Sequence, residues 1–335
     1  MNSDEQIHWK TNIKKWGYEL GFVSVGFTTA EPIASLALIL KARIDQGVAT
    51  PFEGKEIEKR IDPKAVWSDC QTVVTLAYPF PSTLPPQKGE GVFARSAVGE
   101  DYHRVLRQRF NQLLDIMAIN GWMGTPQWQV DTGPLVERAF AIRAGIGWIG
   151  RNQQLIIPGY GSFVALALLL LDQAIPPDHP ATSQCGTCQK CVESCPAQIL
   201  GEEPFAAKHC VSYLTQSKEV LTPEERGRLG LRLFGCDTCQ EACPHNQKRM
   251  EEERLASSPP ALRRGVDLLE ALNLTKGEYR KYFQLTAAGW RGKGVLQRNA
   301  FLALRNVHDS RYDLWLAERK KDKLVPPIIT PYLEG

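Results

Sequence analysis

Nine cysteines constrain the fold of this 335-residue chain more than any other feature, because eight of them fall between positions 185 and 243. The first four have the spacing C-x2-C-x2-C-x3-C-P, which is the run that holds [4Fe–4S] clusters in bacterial ferredoxins. They are Cys185, Cys188, Cys191 and Cys195. Two intervening residues let a short loop curl around one cube and point successive sulfurs at different irons. The run therefore predicts an iron–sulfur site.

A second, incomplete run with the spacing C-x2-C-x3-C-P extends from Cys236 to Cys243. It needs one more ligand, and Cys210 is the only spare cysteine in this part of the chain. In two-cluster ferredoxins the last cysteine of a run reaches the other cluster. By this crossed rule we predict two ligand sets, Cys185, Cys188, Cys191 and Cys243 for one cluster and Cys195, Cys210, Cys236 and Cys239 for the other.

Zinc sites and disulfides are the alternative uses of so many cysteines. Asp4 and Glu5 interrupt the start of the chain and no apolar segment follows, so we predict a cytoplasmic protein in which disulfides are disfavoured. Zinc sites favour paired C-x2-C units over three cysteines in one tight run, so iron–sulfur clusters are the better interpretation. We expect Cys70 to be a small buried apolar residue. The longest apolar run, 163–171, is too short to span a membrane.

Proline-rich stretches at 175–180 and 257–260 enclose the cysteine region. Proline lacks a backbone donor and stops regular structure, so we take both stretches as domain boundaries. The sequence then predicts an α/β (or α+β) domain over 1–178, a ferredoxin-like domain with two clusters over 179–256 and a short helical region over 257–335.

Hydrophobic spacing predicts the main elements of the first domain. A first helix is expected to end at Gly21, and an amphipathic helix is expected from Val105 to Met117. A further helix is predicted from Pro134 to Ala144, since proline suits a first helical position. Strands are predicted at 22–27, 73–77, 127–130 and 163–171, the last of them buried on both faces.

Residues 145–150 read G-x-G-x-x-G, with Asp172 twenty-two positions beyond, which matches the fingerprint of a dinucleotide-binding turn. That motif must follow a strand and open a helix, whereas here a predicted helix precedes it and turn residues follow it. We therefore interpret these glycines as a loop whose backbone approaches a flat or bulky ligand.

Several motifs together resemble the epoxyqueuosine reductase family, from about Glu56 to about Asn306. Apart from the cysteines, they are Val130–Pro134, Arg143–Gly147, Trp290–Lys293 and Gln297–Ala300. The resemblance implies the last step in making the tRNA wobble nucleoside queuosine. It also implies cobalamin on a nitroreductase-like domain related to that of corrinoid reductive dehalogenases, two [4Fe–4S] clusters and a tRNA substrate. An external ferredoxin or flavodoxin would supply electrons to the first cluster, and the second cluster would lie nearest cobalt.

The resemblance implies that Asp131 is the catalytic acid, although the residue could equally cap the following helix. Removal of an epoxide oxygen requires a proton donor, and an apolar corrin face would raise the pKa of a nearby carboxyl so that it kept its proton. The implied cobalamin contacts are Arg60, Ala94, Asp131, Leu155, Ser212 and Asp237. The segment from Asp101 to Leu106 departs from the cobalt-binding D-x-H-x-x-G pattern, so we expect His103 to begin a helix and contact solvent or backbone.

The near-neutral net charge of +3 hides an asymmetry along the chain. Residues 256–335 carry fourteen Lys or Arg against eight Asp or Glu, a net charge of +6, and aromatic residues are interleaved among them. Cations contact phosphates and rings stack on bases, so this region is a candidate RNA surface, or else a solvated basic helix face. The resemblance implies tRNA contacts at Arg138, Lys218, Arg280, Trp290, Arg291 and Lys293. Longer family members end in HEAT-like repeats, of which at most a remnant is expected here.

Two other functions account for part of the pattern. A corrinoid dehalogenase-like reductase of small molecules explains the clusters but not the basic, aromatic C-terminal region. A two-cluster electron carrier leaves the first domain and Asp131 without a role. We expect a monomer without membrane contact.

Overall fold

Strands and helices alternate through the first half of the chain, and helices dominate the second. The computed structural model describes residues 1–201, 203–255, 262–322 and 325–333. The strands are β1 Ser24–Thr29, β2 Thr72–Pro79, β3 Thr83–Leu84, β4 Gly91–Phe93, β5 Gln127–Val130, β6 Trp148–Ile149, β7 Leu155–Ile156, β8 Val164–Leu171, β9 Arg232–Phe234, β10 Leu262–Arg263 and β11 Gly265–Val266. The helices are α1 Ser3–Glu19, α2 Ala34–Asp45, α3 Ile57–Ile61, α4 Pro63–Val66, α5 Tyr102–Ile119, α6 Glu137–Arg143, α7 Lys190–Ser194, α8 Val211–Leu214, α9 Pro223–Leu229, α10 Thr238–Glu241, α11 Pro244–Leu255, α12 Leu268–Leu272, α13 Lys276–Tyr282, α14 Lys293–Asn306 and α15 Ser310–Asp322.

The main sheet has the strand order β1-β2-β8-β5, and each neighbouring pair is antiparallel. Ser24 pairs with Ala77, and Leu168 of β8 pairs with both Thr75 and Gln129. Strand β8 is almost wholly apolar because it lies between two strands and is covered on both faces, as predicted. An antiparallel sheet covered by helices is the α+β form of the predicted fold class.

Helices cover both faces of this sheet. Helices α1 and α5 pack on one face, where Ile13 and Phe110 are fully buried with Leu76. Helix α6 covers the other face through Phe140, which packs against Leu168. Helices α1 and α5, which the apolar spacing predicted, are confirmed, and β5 has the predicted bounds. None of the helices in the described ranges is long and apolar enough to cross a membrane.

The helix predicted from Pro134 begins later, at Glu137, so this prediction is wrong at its start. The buried side chain of Gln129 holds the preceding segment in a loop. Its Nε2 donates to the carbonyl oxygen of Leu135 at 2.9 Å, and its Oε1 accepts from the backbone nitrogen of Leu135 at 3.2 Å. Gly133 packs directly on this amide, where a Cβ would overlap it. The residues from Asp131 onward therefore form a loop that the side chain of Gln129 holds in place.

The glycine-rich segment 145–150 follows helix α6 and leads into the hairpin of β6 and β7, so the dinucleotide-binding motif is absent there. Its glycines do not make room for a ligand, which corrects the expectation from sequence. A Cβ on Gly145 would overlap the carbonyl oxygen of His179, and one on Gly147 would overlap that of Ile156. The glycines are needed because the chain packs closely against itself.

Two small sheets join segments that lie far apart in the sequence. Strand β4 pairs with β9 on one side and β11 on the other, and β3 pairs with β10. The sheet of β4, β9 and β11 thus takes one strand from each of the three predicted domains. The proline-rich boundary predicted at 257–260 lies outside the described residues.

The C-terminal region is helical from α12 onward, as predicted. Its apolar core around Leu296, Phe301 and Trp315 is shared with Phe93 of the first domain and Leu233 of the cysteine region. Helix α14 is fixed by two polar residues that are fully buried, Arg298 and Asn299. Arg298 is one of the cations of the basic region, but its guanidinium donates to the carbonyl oxygens of Ser217 at 2.6 Å and Leu214 at 2.9 Å. It is a structural cation and is not available to phosphate.

Candidate functional site

Four of the cysteines lie around a cavity of about 160 Å³, which we call the first cysteine cavity: Cys185, Cys188, Cys191 and Cys243. Three come from the loop and short helix α7 of the first run, and the fourth comes from the start of α11. Burial, followed in size by the neighbouring thiol of Cys243, raises the pKa of Cys191. The effect of Cys243 shows that the two cysteine runs lie close together here. This is the first set of the crossed prediction.

The other four lie around a cavity of about 350 Å³, the second cysteine cavity: Cys195, Cys210, Cys236 and Cys239. Burial raises the pKa of Cys210 to about 11. A backbone hydrogen bond opposes this rise, and the neighbouring thiol of Cys236 adds to it. Four thiols converging on one space form a donor set suited to an iron–sulfur cube. Cys70 is fully buried in the core near α6 and lines neither cavity.

Buried charges adjoin the second cysteine cavity. Asp237, next to ligand candidate Cys236, accepts hydrogen bonds from the backbone nitrogen of Arg95 at 2.8 Å and from the guanidinium of Arg264 at 3.1 Å. Arg95 also forms an ion pair with Glu253 on helix α11. These pairs tie the loop after β4, the region around α10 and the C-terminal region to one wall of the cavity.

A larger cavity of about 460 Å³ opens beside the second cysteine cavity. We call it the acid cavity because Tyr102, Asp131 and Glu137 line it. The two cavities share four lining residues, Phe80, Asp131, Gln154 and Val164, so they are continuous. Asp131 therefore lies between the four thiols and the open space.

Asp131 follows strand β5 with a left-handed backbone (φ 51°), which aspartate tolerates better than most residues. Its carboxylate accepts a hydrogen bond from the Tyr102 hydroxyl at 2.7 Å and lies 3.3 Å from Nε2 of His103. Desolvation would raise the pKa of Asp131, but the ion pair with His103 and the hydrogen bond from Tyr102 hold it below its usual value. These two neighbours stabilise the ionised form of the carboxyl, and the rise in its pKa beside an apolar corrin face stays a prediction.

His103 has a larger role in this arrangement than the sequence predicted. Its Nδ1 lies 2.7 Å from the Asp101 carboxylate while Nε2 faces Asp131, so the ring bridges two acids. Burial would lower the pKa of His103, but hydrogen bonds to Asp101 and Asp131 raise it to about 9. The ring also stacks on Tyr102, with centroids 4.2 Å apart. In the sequence, this role is indicated only by Asp101 and His103 at the start of one helix. Helix α5 places both residues beside the loop after β5.

Glu137 is a third acid, and sequence reasoning missed it. Its Oε1 accepts a hydrogen bond from Nε2 of Gln129 at 2.8 Å, at the first residue of helix α6. Burial and the charge of Asp131 raise the pKa of Glu137 to about 8. At neutral pH two carboxylates in the cavity lining, those of Asp131 and Glu53, are therefore ionised, and Glu137 is neutral. The His103 imidazole beside Asp131 is protonated.

The residues implied as cofactor contacts fall mostly around the two joined cavities. Arg60 lines the acid cavity and pairs with Glu53, while Ala94 and Ser212 line the second cysteine cavity. Leu155 differs, because its side chain is buried in the core beneath the hairpin. Its neighbour Gln154 lines both cavities instead, so only main-chain contact at Leu155 stays a prediction.

The residues implied as tRNA contacts are more scattered. Arg138 lines the acid cavity, and its guanidinium donates to the carbonyl oxygen of Gln153. The side chains of Lys218, Arg280 and Trp290 are exposed, and Arg291 is partly buried beside Trp290. Lys293 points inward, since its Nζ donates to the carbonyl oxygen of Leu274 at 3.1 Å.

Two family models match the chain. A 4Fe-4S double cluster binding domain matches residues 184–246, which contain all eight clustered cysteines. A second model, described as "Epoxyqueuosine reductase QueG, DUF1730", matches residues 60–132, from the Arg60 helix to the Asp131 loop. The first match identifies the cysteine region as an iron–sulfur binding domain. It therefore favours iron–sulfur clusters over zinc sites as the use of these cysteines.

A curated relative supplies the deciding comparison. The epoxyqueuosine reductase of Listeria monocytogenes is 38% identical to this chain over 314 residues, which cover 90% of this chain and 81% of the relative. The chain belongs to the epoxyqueuosine reductase family. It is therefore an oxidoreductase, and the resemblance drawn from its motifs is confirmed.

Solved structures of epoxyqueuosine reductases have the same fold. That from Streptococcus thermophilus is 36% identical and superposes with a TM-score of 0.87, covering 96% of this chain and 87% of its own. Another, a crystal structure with an epoxyqueuosine-modified tRNA-Tyr stem loop, is 34% identical with a TM-score of 0.83 and covers 93% and 85%. The mixed helix and strand architecture is thus the one found in this family.

Proposed function

We propose that this chain reduces epoxyqueuosine at the wobble position of tRNA to queuosine. The observation that carries the proposal is the position of Asp131, which lines both the acid cavity and the cavity of four cysteines. A reductive deoxygenation needs electrons and protons at one place, and this carboxylate adjoins both supplies. The relative solved with an epoxyqueuosine-modified stem loop supports the same substrate.

Two [4Fe–4S] clusters would occupy the cysteine cavities with the crossed ligand sets. Each cavity is lined by four thiols, which is the number of cysteine ligands that one [4Fe–4S] cluster takes. The second cluster would lie nearest the acid cavity, because their linings are shared. Electrons from an external ferredoxin or flavodoxin would then enter at the first cluster. We propose that the chain acts as a monomer.

Cobalamin fits the space formed by the two joined cavities. The walls combine apolar side chains and the small residues Ala94 and Ala165 with many polar and charged side chains, among them Gln154 and Ser212. This lining suits a broad, flat macrocycle with apolar faces and amide-bearing edges. When bound, cobalamin supplies a strongly reducing metal centre for chemistry at carbon. The proposed contacts are Arg60, Ala94, Asp131, the Leu155 main chain, Ser212 and Asp237, on a domain of nitroreductase-like fold.

The chain's own acids provide the protons. Removal of the epoxide oxygen as water, leaving an alkene, consumes two electrons and two protons. The ionised Asp131 and protonated His103 share one proton beside the Tyr102 hydroxyl, so Asp131 can receive it from His103 and pass it to the departing oxygen. Glu137, neutral at pH 7, holds a second proton in the same cavity.

The tRNA would lie across the opening of the acid cavity and the basic C-terminal region. The proposed contacts are Arg138, Lys218, Arg280, Trp290, Arg291 and Lys293. Arg138 adjoins the reacting nucleotide because it lines the acid cavity, whereas Lys218 and Arg280 are exposed and suited to phosphates. The inward-facing Lys293 must release the Leu274 carbonyl to reach RNA.

Nucleoside analysis of epoxyqueuosine-containing tRNA, after anaerobic incubation with cluster-loaded protein, cobalamin and a reductant, tests the proposal. We expect conversion to queuosine by the wild type. We expect Asp131→Asn to lose at least a hundredfold in rate with cobalamin absorbance and cluster content unchanged, since acid–base groups typically contribute 10²–10⁴-fold. Unchanged tRNA with active wild-type cofactors would overturn the assignment and favour an electron carrier.

A further inference from the structure

Two aromatic rings lie exposed where the acid cavity opens to solvent. Phe52 lines this cavity and is 44% exposed, and the ring of Trp290 is 55% exposed. Their centroids are 5.1 Å apart and their planes meet at 73°. One ring comes from the loop before α3 and the other from the 3-10 turn before α14, so two distant segments meet at this edge. We call Phe52 and Trp290 the aromatic rim.

The rim is held in place by polar contacts. Nε1 of Trp290 donates to Oε1 of Gln216 at 3.1 Å, and Nε of Arg291 donates to the backbone oxygen of the same residue at 2.6 Å. Tyr213, which is buried, packs behind Phe52 with centroids 5.2 Å apart. Rings fixed in this way lose little freedom when a flat ligand binds.

A cation adjoins both rings. The guanidinium carbon of Arg291 lies 4.6 Å from the Trp290 centroid and 5.2 Å from that of Phe52. The exposed Lys218 lies two positions along the chain from Gln216. Exposed rings beside positive charge match the chemistry of single-stranded RNA, whose bases stack while its phosphates pair with cations. Protein interfaces are depleted in lysine, so the exposed Lys218 near the rings favours RNA over a protein partner.

We propose that the aromatic rim stacks on an unpaired nucleobase next to the nucleotide that enters the acid cavity. The inference rests on the proposed function and specifies how the RNA is held there. Phe52, which no motif in the sequence indicated, is the new contact. Because every base offers a flat face, the rim would bind any unstacked base and would not discriminate between base types.

The test is binding of a fluorescent anticodon stem loop to the cluster-loaded protein, measured by anisotropy. Phe52→Leu keeps the apolar volume without a ring, and Phe52→Tyr keeps the ring. Stacking is worth about 1–3 kcal/mol per base, so we expect Phe52→Leu to weaken binding by about five- to 150-fold and Phe52→Tyr to bind normally. Met123→Ala is the matched control, since Met123 is 93% exposed but lies beyond the far end of helix α5.

Two further measurements separate stacking from other roles. A stem loop with an abasic site at the stacked position should bind wild type and Phe52→Leu equally, since the contact is missing in both. The slope of affinity against salt should be unchanged in Phe52→Leu but reduced in Lys218→Ala, because only the lysine would release counterions. Equal binding of the intact stem loop by wild type and Phe52→Leu overturns the stacking proposal while leaving the tRNA substrate standing. A wild type that does not bind the stem loop overturns the proposed function itself.

Discussion

Three side chains around the acid cavity acquire different protonation states from their surroundings. Asp131 is ionised because it accepts from Tyr102 and faces His103, and His103 is protonated because it lies between two acids. Glu137 stays neutral because it is buried near the negative Asp131. Opposite shifts in neighbouring groups distinguish proton donors from the groups that orient them.

The His103 proton should determine the alkaline limit of activity. Because its pKa is raised to about 9, the ring is charged at neutral pH and loses its proton as the pH rises through 9. In single-turnover pH profiles we expect the wild-type rate to fall in that range. In His103→Gln this step disappears and the rate at pH 7 falls at least tenfold. An unchanged step near pH 9 in the variant would show that another group titrates there.

Glu137 should produce a separate step at lower pH. Its pKa is raised to about 8, so it donates below that value and not above it. We expect Glu137→Gln, which keeps the shape and the contact with Gln129, to remove the step near pH 8 and retain the one near pH 9. His103→Gln and Glu137→Gln thus serve as controls for each other. Loss of both steps in either variant would contradict separate roles.

Sequence reasoning identified Asp131 and the clustered cysteines but missed Phe52, His103 and Glu137. The cysteines are recognisable because a cluster demands a fixed local spacing. The other three matter through contacts that the fold creates, such as the Trp290 ring against Phe52 and the Asp131 carboxylate beside His103. No local pattern encodes those contacts, so a structure is needed to find them.

At the scale of elements, helix α14 is attached to the cysteine region by buried polar groups as well as by apolar packing. Asn299 donates from Nδ2 to the carbonyl oxygens of Thr215 and Leu233, both at 2.7 Å, and its Oδ1 accepts from Arg298. These bonds connect α14 to the segment after α8 and to β9.

Loss of this attachment should destabilise the molecule. Asn299→Ala removes the donor to two buried carbonyls and one acceptor of the Arg298 guanidinium, so we expect about 2–3 kcal/mol lower free energy of unfolding, measured by urea titration. Gln284→Ala, at an exposed position near the same region, is the control and should cost less than about 0.5 kcal/mol. An equal effect of both variants would mean that the buried bonds contribute little.

Long periodic elements were predictable, and short ones were not. The spacing of apolar residues gave α5 and β8 closely, because packing on one face or burial on both leaves a clear pattern. The two-residue strands, such as β10 and β11, have no period to detect. Helix α6 starts late because Gln129, a residue of the neighbouring strand, holds the preceding loop.

At the scale of the whole molecule, the two cysteine runs interlock, so each run should affect both clusters. We expect Cys243→Ala to lose the same cluster as Cys188→Ala, and Cys239→Ala to lose the other, although Cys239 and Cys243 belong to one run. Iron content and the electron paramagnetic resonance spectrum of the remaining cluster measure this. Matching spectra for Cys239→Ala and Cys243→Ala would contradict the crossed assignment.

The sheet of β4, β9 and β11 has a consequence for how the protein is made. Synthesis releases β4 early, β9 much later and β11 later still, so the edge of β4 waits unpaired on the ribosome for more than a hundred residues. Ala94 and Asp237, which follow β4 and β9, reach the wall of the second cysteine cavity only when that sheet closes. We therefore expect iron insertion at the second cavity to follow the synthesis of β9 and the closing of this sheet.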